Sequence, residues 1–421
     1  MNKPDIRFNG FNGEWEEKNY KEVFDTSVSN NTFSRAELTS EKTSTKNVHY
    51  GDILIKYNSI LSVKKDDFPF IPDNVKVDSK NFLKNGDIVF ADTAEDETCG
   101  KAVEITDLEN ENVLAGLHTF VARPKFQFQE KYLGYFINSP AYHNQLIPYM
   151  QGTKVTSISK TNVQKTSVKY PNATEQIKIG NLFSQIDSLI SSTQKEHDKL
   201  VSLKKCMLQK MFPKKGCLVP EIRFKGFTGE WVEKKLGEIF RSISNAFVGT
   251  ASPYYVENGH FYLESNNVKN GQINRNSEIF INDEFYYNQR HKWIHENDIV
   301  MVQSGHVGHS AVIPKELDNT AAHALIIFTD KYKTTDSYFI NYSFMTSISV
   351  RQIEGITKGN TIKHILSSDM KNFIISIPND YAEQQKIGSY FQNLDNLISK
   401  QSQELEKLQN IKKTLLSKMF V

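Results

Sequence analysis

A stretch of 38 residues occurs twice in this chain, and it limits the fold more than any other feature. Residues 175–212 read EQIKIGNLFSQIDSLISSTQKEHDKLVSLKKCMLQKMF and residues 383–420 read EQQKIGSYFQNLDNLISKQSQELEKLQNIKKTLLSKMF; at a constant offset of 208, without a gap, 19 of 38 positions are identical. Neither copy contains proline, and the only glycine in each, Gly180 or Gly388, lies near its start. Apolar residues recur at steps of four and three: Ile179, Phe183, Ile186, Ile190, then Leu200 and Met207. The second copy gives Ile387, Phe391, Leu394, Ile398, Leu405, Leu408, Leu415 and Met419. That spacing predicts a helix with a coiled-coil-like seam, and at the α-helical rise each copy would be a rod of roughly 57 Å. Two such seams predict that the rods pair with each other. His197, which falls on the seam where the other copy has Leu405, is expected to make an interhelix contact.

A second repeated element precedes each half. Residues 4–18 are PDIRFNGFNGEWEEK and residues 220–234 are PEIRFKGFTGEWVEK, identical at 11 of 15 positions. Gly10, Gly13, Gly226 and Gly229 mark turns, and Phe8, Phe11, Trp15, Phe224, Phe227 and Trp231 offer apolar anchors. No Gly-Lys-Ser/Thr follows these glycines, so a packing turn is expected rather than a phosphate loop.

The segments between turn motif and helix, roughly 19–171 and 235–378, differ except at a few points. Gly86-Asp87-Ile88-Val89-Phe90 matches Asn297-Asp298-Ile299-Val300-Met301, each a turn into a short strand. Ala115-Gly-Leu-His118 matches Ala321-Ala-His323-Ala324, and helical stretches start near Tyr132 and Tyr338. Gly152-Thr-Lys154 and Gly359-Asn-Thr361 open similar segments that end at Pro171 and Pro378. The expected fold class is α+β: two pseudo-repeated domains of mixed short strands and helices, separated by two long antiparallel coiled-coil-like helices. The expected boundaries are 1–171, 172–216, 217–379 and 380–421. Only residues 213–219 join the two halves, too few for a floppy tether. Antiparallel rods would put the variable domains at opposite ends of a pseudo-twofold arrangement.

Composition narrows the compartment and the chemistry. A charge of only +2 over 421 residues means that any nucleic-acid surface must be local. Cys99, Cys206 and Cys217 show no zinc spacing and suit a reducing cytosol. There is no apolar signal core at the N-terminus and no run of 18 apolar residues. A cytoplasmic protein without a membrane segment is expected.

Residues 131–174 contain no Asp or Glu, although the chain has 49 acids, and they include Lys131, Lys154, Lys160, Lys165 and Lys169. Gln151, Thr153 and Thr156 lie among them, side chains able to bond phosphates and base edges. The matching stretch of the second half supplies Arg351, Lys358, Asn360, Thr361, Lys363 and His364. A Gly-rich polar loop, Gln303-Ser304-Gly-His306-Val-Gly-His309-Ser, follows the strand expected at Ile299, and its counterpart runs from Thr93 to Lys101. These are the candidate DNA-binding residues, set against the plainer reading of solvated loops. No zinc site is expected from His306 and His309 or from His291 and His295, since no cysteine is near and no Glu has the metalloprotease spacing. Asp73, Asp78 and Lys80 are too closely spaced for a nuclease site. With no Walker loop, helicase box, methyltransferase tetrapeptide or nucleophile–base pair, the pattern favours a binding protein over an enzyme.

The duplicated plan, in which EQ-KIG opens a long helix that ends in KMF, resembles the specificity subunit of type I restriction–modification enzymes. IRF-GF-GEW followed by Leu236-Gly-Glu-Ile-Phe240 is similar to the start of that family's target recognition domains; the resemblance covers essentially the whole chain and is strongest in the helices and turn motifs. The first half departs at Tyr20-Lys-Glu-Val-Phe24, where the Leu-Gly is missing. The resemblance implies that each variable domain reads half of a split, asymmetric target in double-stranded DNA. It implies that the paired helices set the unread spacer and dock two methyltransferase subunits, with up to two restriction–translocase subunits joining. It also implies no catalytic residue, metal or cofactor in this chain; S-adenosylmethionine, ATP and Mg would serve the partners. The helix-pairing residues would be Ile179, Phe183, Ile186, Ile190, Leu200 and Met207 with Ile387, Phe391, Leu394, Ile398, Leu408 and Leu415. Two other readings stay open on sequence alone. A single-chain nuclease or methyltransferase would cut or methylate DNA unaided, and a DNA-bridging scaffold would show no target preference.

Overall fold

The computed structural model describes residues 3–332, 335–359 and 363–421. It divides into two units, Met1–Gln194 with Gln403–Val421, and Lys195–Ser402. The division cuts across both long helices, Ala173–Lys210 and Tyr381–Lys418. The expected boundaries instead gave each helix a region of its own. Each helix starts from one globular core, and the Met and Phe of its terminal KMF are buried in the core of the other unit.

In the first unit the turn motif leads into strand Glu16–Asn19, which pairs antiparallel with Ser167–Tyr170, the strand that enters the long helix. The main sheet has five strands in the order Phe24–Asp25, Thr119–Pro124, Ile88–Ala91, Ala102–Thr106 and Ile60–Ser62. Its centre, Ile88–Ala91, is buried on both faces, hence the unbroken apolar run. Strand alternation then builds two cores. Ile88 and Phe90 join Trp15, Tyr132 and Phe183 on one side, while Val89 and Ala91 join Ile53, Val103 and Ile105 on the other.

The second unit repeats this frame with other side chains. Val232–Lys235 pairs antiparallel with Ile374–Ile377. A four-stranded sheet runs Phe240–Asn245, Leu325–Lys331, Ile299–Val302 and Ser310–Val312. Ile299 and Met301 face a core with Trp231, Phe339 and Phe391; Val300 and Val302 face one with Leu263, Ile313 and Leu325. One-turn helices Tyr20–Val23 and Leu236–Ile239 occupy equivalent places, so the absent Leu-Gly of the first half changes nothing in the backbone plan.

The repeated letters have specific work. The Glu that opens each helix motif is almost fully buried and takes a two-pronged bond from the Arg of the turn motif: Arg7 on Glu175 at 2.7 and 2.8 Å, Arg223 on Glu383 at 2.6 and 2.7 Å. Such forked pairs fix orientation as well as distance. The next residue, Gln176 or Gln384, donates to Pro171 O or Pro378 O and accepts from the backbone of Gln129 or Asp336. Lys178 lies over Phe8 and Phe11, and Lys386 over Phe227. A Cβ on Gly180 would come within 2.9 Å of Glu130 O, and one on Gly388 within 3.1 Å of Phe339 N. Glycine at these positions lets each long helix lie close against the backbone at the start of a neighbouring helix, Tyr132–Ile137 or Ser337–Ser343.

At the other end, Phe420 packs against Trp15, Tyr132 and Phe183 in the first unit, and Phe212 against Trp231, Phe339 and Phe391 in the second. Removing a buried Phe of this kind costs roughly 3–5 kcal/mol. Two matching triads fix the helix register. In the first unit Tyr135 Oη donates to Asp187 Oδ2 at 2.8 Å and Lys412 Nζ reaches Asp187 Oδ1 at 2.5 Å. In the second Tyr342 Oη donates to Asp395 at 2.8 Å and Lys204 Nζ to the same carboxylate at 2.5 Å. Within each unit the helix segments therefore run antiparallel.

The expected seam serves two surfaces. Ile179 and Phe183, like Ile387, Phe391 and Leu394, point into the globular core of the unit where their helix begins. Leu415 packs on the first core; Leu200 and Met207 pack on the second. Ile186 is buried, while Ile190, Ile398 and Leu408 are half-buried. His197 bonds its neighbour Asp198 at 3.2 Å. Among the described residues no helix is long and apolar enough to cross a membrane.

Candidate nucleic-acid interface

Both units build the same exposed device at the end of their central strand. In the first, the chain leaves Ile88–Ala91 and forms strand Thr93–Ala94, which pairs antiparallel with Thr156–Ser157. Gln151 and Ser157 exchange backbone bonds of 2.9 and 2.8 Å, closing a hairpin. Gly152 turns it at φ +113°, where a Cβ would sit 1.9 Å from Val155 O, so the turn requires glycine. Thr153, Lys154 and Val155 project at the tip, exposed. Beside them Thr93 Oγ1 donates to Asp92 Oδ1 at 2.8 Å and lies 3.5 Å from His118 Nδ1. His118, held at φ +55°, approaches Asp92 at 3.4 Å and sets its ring edge-on to Tyr50 at 5.2 Å.

In the second unit the Gly-rich loop after Ile299–Val302 plays the part of Thr93–Ala94. Ser304 bridges His364, Gly305 N donates to Lys363 O at 3.0 Å, and Ile365 N donates to Gln303 O at 3.0 Å. Lys358 and His364 exchange backbone bonds, again closing a hairpin through a glycine, Gly359, at φ +97°. The loop edges a cleft of about 980 Å³ that also takes in Lys205, Glu354 and Lys363. Burial, and after it the nearby His306, holds the His309 pKa below the usual histidine range. His309 is thus a neutral group with both a donor and an acceptor, suited to hydrogen bonding rather than charge. His323, beside Ala324, the left-handed counterpart of His118, is pushed the other way by its hydrogen bond to Glu264, 3.3 Å away.

The structure thus brings Thr93, Gln151, Thr153, Lys154 and Thr156 together, and Gln303, Ser304, Lys358 and Lys363 likewise. His306 is exposed and His309 half-buried on the same loop. Some of the candidates stand apart or already have their charge occupied, Lys358 of the second group included. Lys101 Nζ donates to Leu54 O at 2.9 Å and its pKa is lowered by burial. Lys160 Nζ donates to Thr26 O. Arg351 is exposed on helix Ser347–Ile356, and Lys358 Nζ is held by Asp369 at 2.9 Å. Asn360 and Thr361 lie outside the described residues.

The acid-free stretch 131–174 is not one basic face. Its helix Tyr132–Ile137 is buried throughout, Lys165 donates to Asn162, and Lys169 lies 3.9 Å from Glu17. A lack of acids in sequence reflected a buried segment as much as a charged surface. Tyr50 and Asp92, which frame the first site, carried no sequence signal, because only the left-handed turn at His118 brings them together. Among the described residues no group of three or more His, Cys, Asp or Glu side chains is placed to hold a metal.

The profile of the type I restriction modification DNA specificity domain matches this chain twice, at residues 12–201 and 228–410. A Methanocaldococcus jannaschii protein provisionally named the MjaX type I restriction enzyme specificity subunit is 25% identical over 342 residues, 79% of this chain and 77% of that protein. The MjaVIII specificity subunit of the same organism is 24% identical over 276 residues, 63% of this chain and 64% of its own. Among solved structures, the S subunit of a type I restriction-modification system from M. genitalium superposes with a TM-score of 0.59 at 15% identity, covering 100% of this chain and 99% of that one. The repeated recognition unit and its helices define a DNA specificity subunit. The chain belongs to the type I restriction–modification DNA specificity family, as a specificity subunit with two recognition domains.

Proposed function

We propose that each recognition domain reads one half of a bipartite, asymmetric DNA target, and that the paired helices set the unread spacer and dock two methyltransferase subunits. One observation carries this reading: the same loop-and-hairpin device is mounted twice on the same frame with different side chains. Asp92, Thr93 and His118 stand in one, Gln303, Ser304 and His306 in the other. Identical mounts with unlike tips suit two unlike half-sites. Methyl transfer from S-adenosylmethionine, and any ATP- and Mg-dependent translocation and cleavage by restriction subunits, belong to the partners, acting on DNA in the cytoplasm. A solved structure of similar fold, 16% identical, belongs to work on complex assembly of a type I restriction–modification system, which supports assembly with partner subunits. Methylome sequencing of a host that carries this chain with its methyltransferase subunit tests it. The expected result is one motif of two unlike blocks around a fixed gap; a single continuous motif, or none, overturns it.

A further inference from the structure

Away from the loop-and-hairpin device, the first unit has a polar cleft of about 690 Å³. Arg35, Lys42, Lys46, Lys56, Lys64 and Lys65 line it, against only two carboxylates, Asp66 and Asp67. Arg35 and Lys64 have outside partners in Asp52 at 2.6 Å and Glu109 at 2.5 Å. Setting those pairs aside leaves four cations facing two acids. Lys46 and Lys56 are positioned without being neutralised: their ammonium groups donate to backbone carbonyls, Val63 O at 2.6 Å and Asp67 O at 2.7 Å. The side chains of Lys42 and Lys65 are exposed, and neither ammonium group makes a hydrogen bond or salt bridge among the described residues, although Asp66 acts electrostatically on Lys65. Gathering uncompensated ammonium groups in one cleft costs folding energy through mutual repulsion, and an anion relieves it.

The cleft adjoins the reading device. Helix Tyr50–Ile55 has Tyr50, the partner of His118, at its start and Lys56, a cleft residue, just past its end. At the helical rise these lie roughly 9 Å apart along the axis. DNA strands carry a phosphate about every 3.4 Å of helix axis, so a duplex whose bases meet Thr93 and His118 presents phosphates at that distance.

We propose that this cleft is a second DNA contact of the first recognition domain, one that grips the phosphodiester backbone beside the half-site without reading bases. The inference rests on the DNA-recognition reading above. The shared chemistry is the phosphate oxygen, and free inorganic phosphate is the competing source.

The test uses the full chain with its methyltransferase subunits and the double variant K42A/K65A. Both side chains are exposed, so the fold is left alone. Each lost phosphate contact lowers the slope of log affinity against log salt by about 0.9 and weakens binding roughly tenfold at 0.1 M salt. The expected result is a slope shallower by about two, with the methylated motif unchanged and K42R/K65R restoring the slope. An unchanged slope overturns the proposal, including when inorganic phosphate alone binds the wild type and not the variant. A changed motif also overturns it, because the lysines then touch bases. If the wild-type complex shows no sequence preference, the underlying functional reading fails instead.

Discussion

Lys154 stands at the exposed hairpin tip beside Thr93, whereas Lys358, which closes the base of the second hairpin as Gln151 closes the first, is held by Asp369. The two lysines should therefore behave differently. Lys154→Ala should lower the salt slope of DNA binding by about one and weaken all sequences alike. Lys358→Ala should do less, since its ammonium must first leave a carboxylate. Binding isotherms at several salt concentrations decide this; an unaltered slope with a new target preference would put Lys154 on a base edge. A second residue controls how stability depends on pH. Glu104 is buried and accepts from the backbone of Lys131 at 2.6 Å and Gly134 at 2.8 Å, holding the start of helix Tyr132–Ile137. Burial outweighs those bonds and pushes its pKa up to about 7. A carboxyl with a raised folded pKa retains its proton in the folded state, so its contribution is fully present at low pH and is lost as pH rises through 7. Wild-type stability relative to Glu104→Gln should fall by on the order of 3 kcal/mol between pH 4.5 and 7.5. Denaturant melts of both proteins across that range check it, and parallel pH profiles would remove Glu104 from this role.

At the scale of elements, the long helices were legible because one period ran through 38 residues twice, and both fall within two residues of the expected spans. Their packing was less legible. A seam of Ile, Phe and Leu looks the same whether it faces another helix or a sheet, and here Phe183 and Phe391 face globular cores. Long-range partners were also invisible: nothing in sequence ties Arg7 to Glu175, or Lys412 to Asp187. The variable domains yielded strands where apolar runs were continuous, as at Ile88 and Ile299, but not the pairing of loop with hairpin, which depends on backbone geometry at Gly152 and Gly359. The register triads sharpen a test of the helices as spacers. On the first helix Thr193 lies between Asp187 and Lys204, and on the second Gln401 lies between Asp395 and Lys412. Inserting four residues after each leaves both triads intact while lengthening both helices equally. Each insertion adds about 6 Å with a residual rotation of roughly 40°. At about 3.4 Å per base pair, the unread gap should grow by one or two base pairs while the half-site bases stay the same. Methylation mapping reads the outcome directly, and an unchanged gap would deny the helices this part.

The whole molecule is closed by exchange between its halves: the first unit is completed by Lys412, Met419 and Phe420 from the end of the chain, the second by Lys204, Met211 and Phe212 from its middle. Because the two helices match at a constant offset of 208, these sets are the same residues of the repeat, Lys, Met and Phe at equal positions. A half-chain of residues 1–216 therefore lacks what covers Trp15 and Phe183 and what neutralises Asp187, yet it carries an equivalent set at its own end. As a monomer it would expose an aromatic socket and leave the Asp187 carboxylate without its cation. Two copies can supply each other, with Lys204 of each taking the place of Lys412 and Phe212 that of Phe420, in a twofold arrangement where both contacts are made twice. The half-chain should sediment as a dimer. With methyltransferase subunits it should modify a split palindrome whose two blocks both repeat the half-site of the first recognition domain. Phe212→Ala in the half-chain should weaken that dimer by roughly 3–5 kcal/mol per plug, visible as dissociation on dilution. A half-chain that stays monomeric, folded and unable to support methylation would show that each unit can close without the exchange, and would undo the link between the repeated KMF ending and the paired assembly.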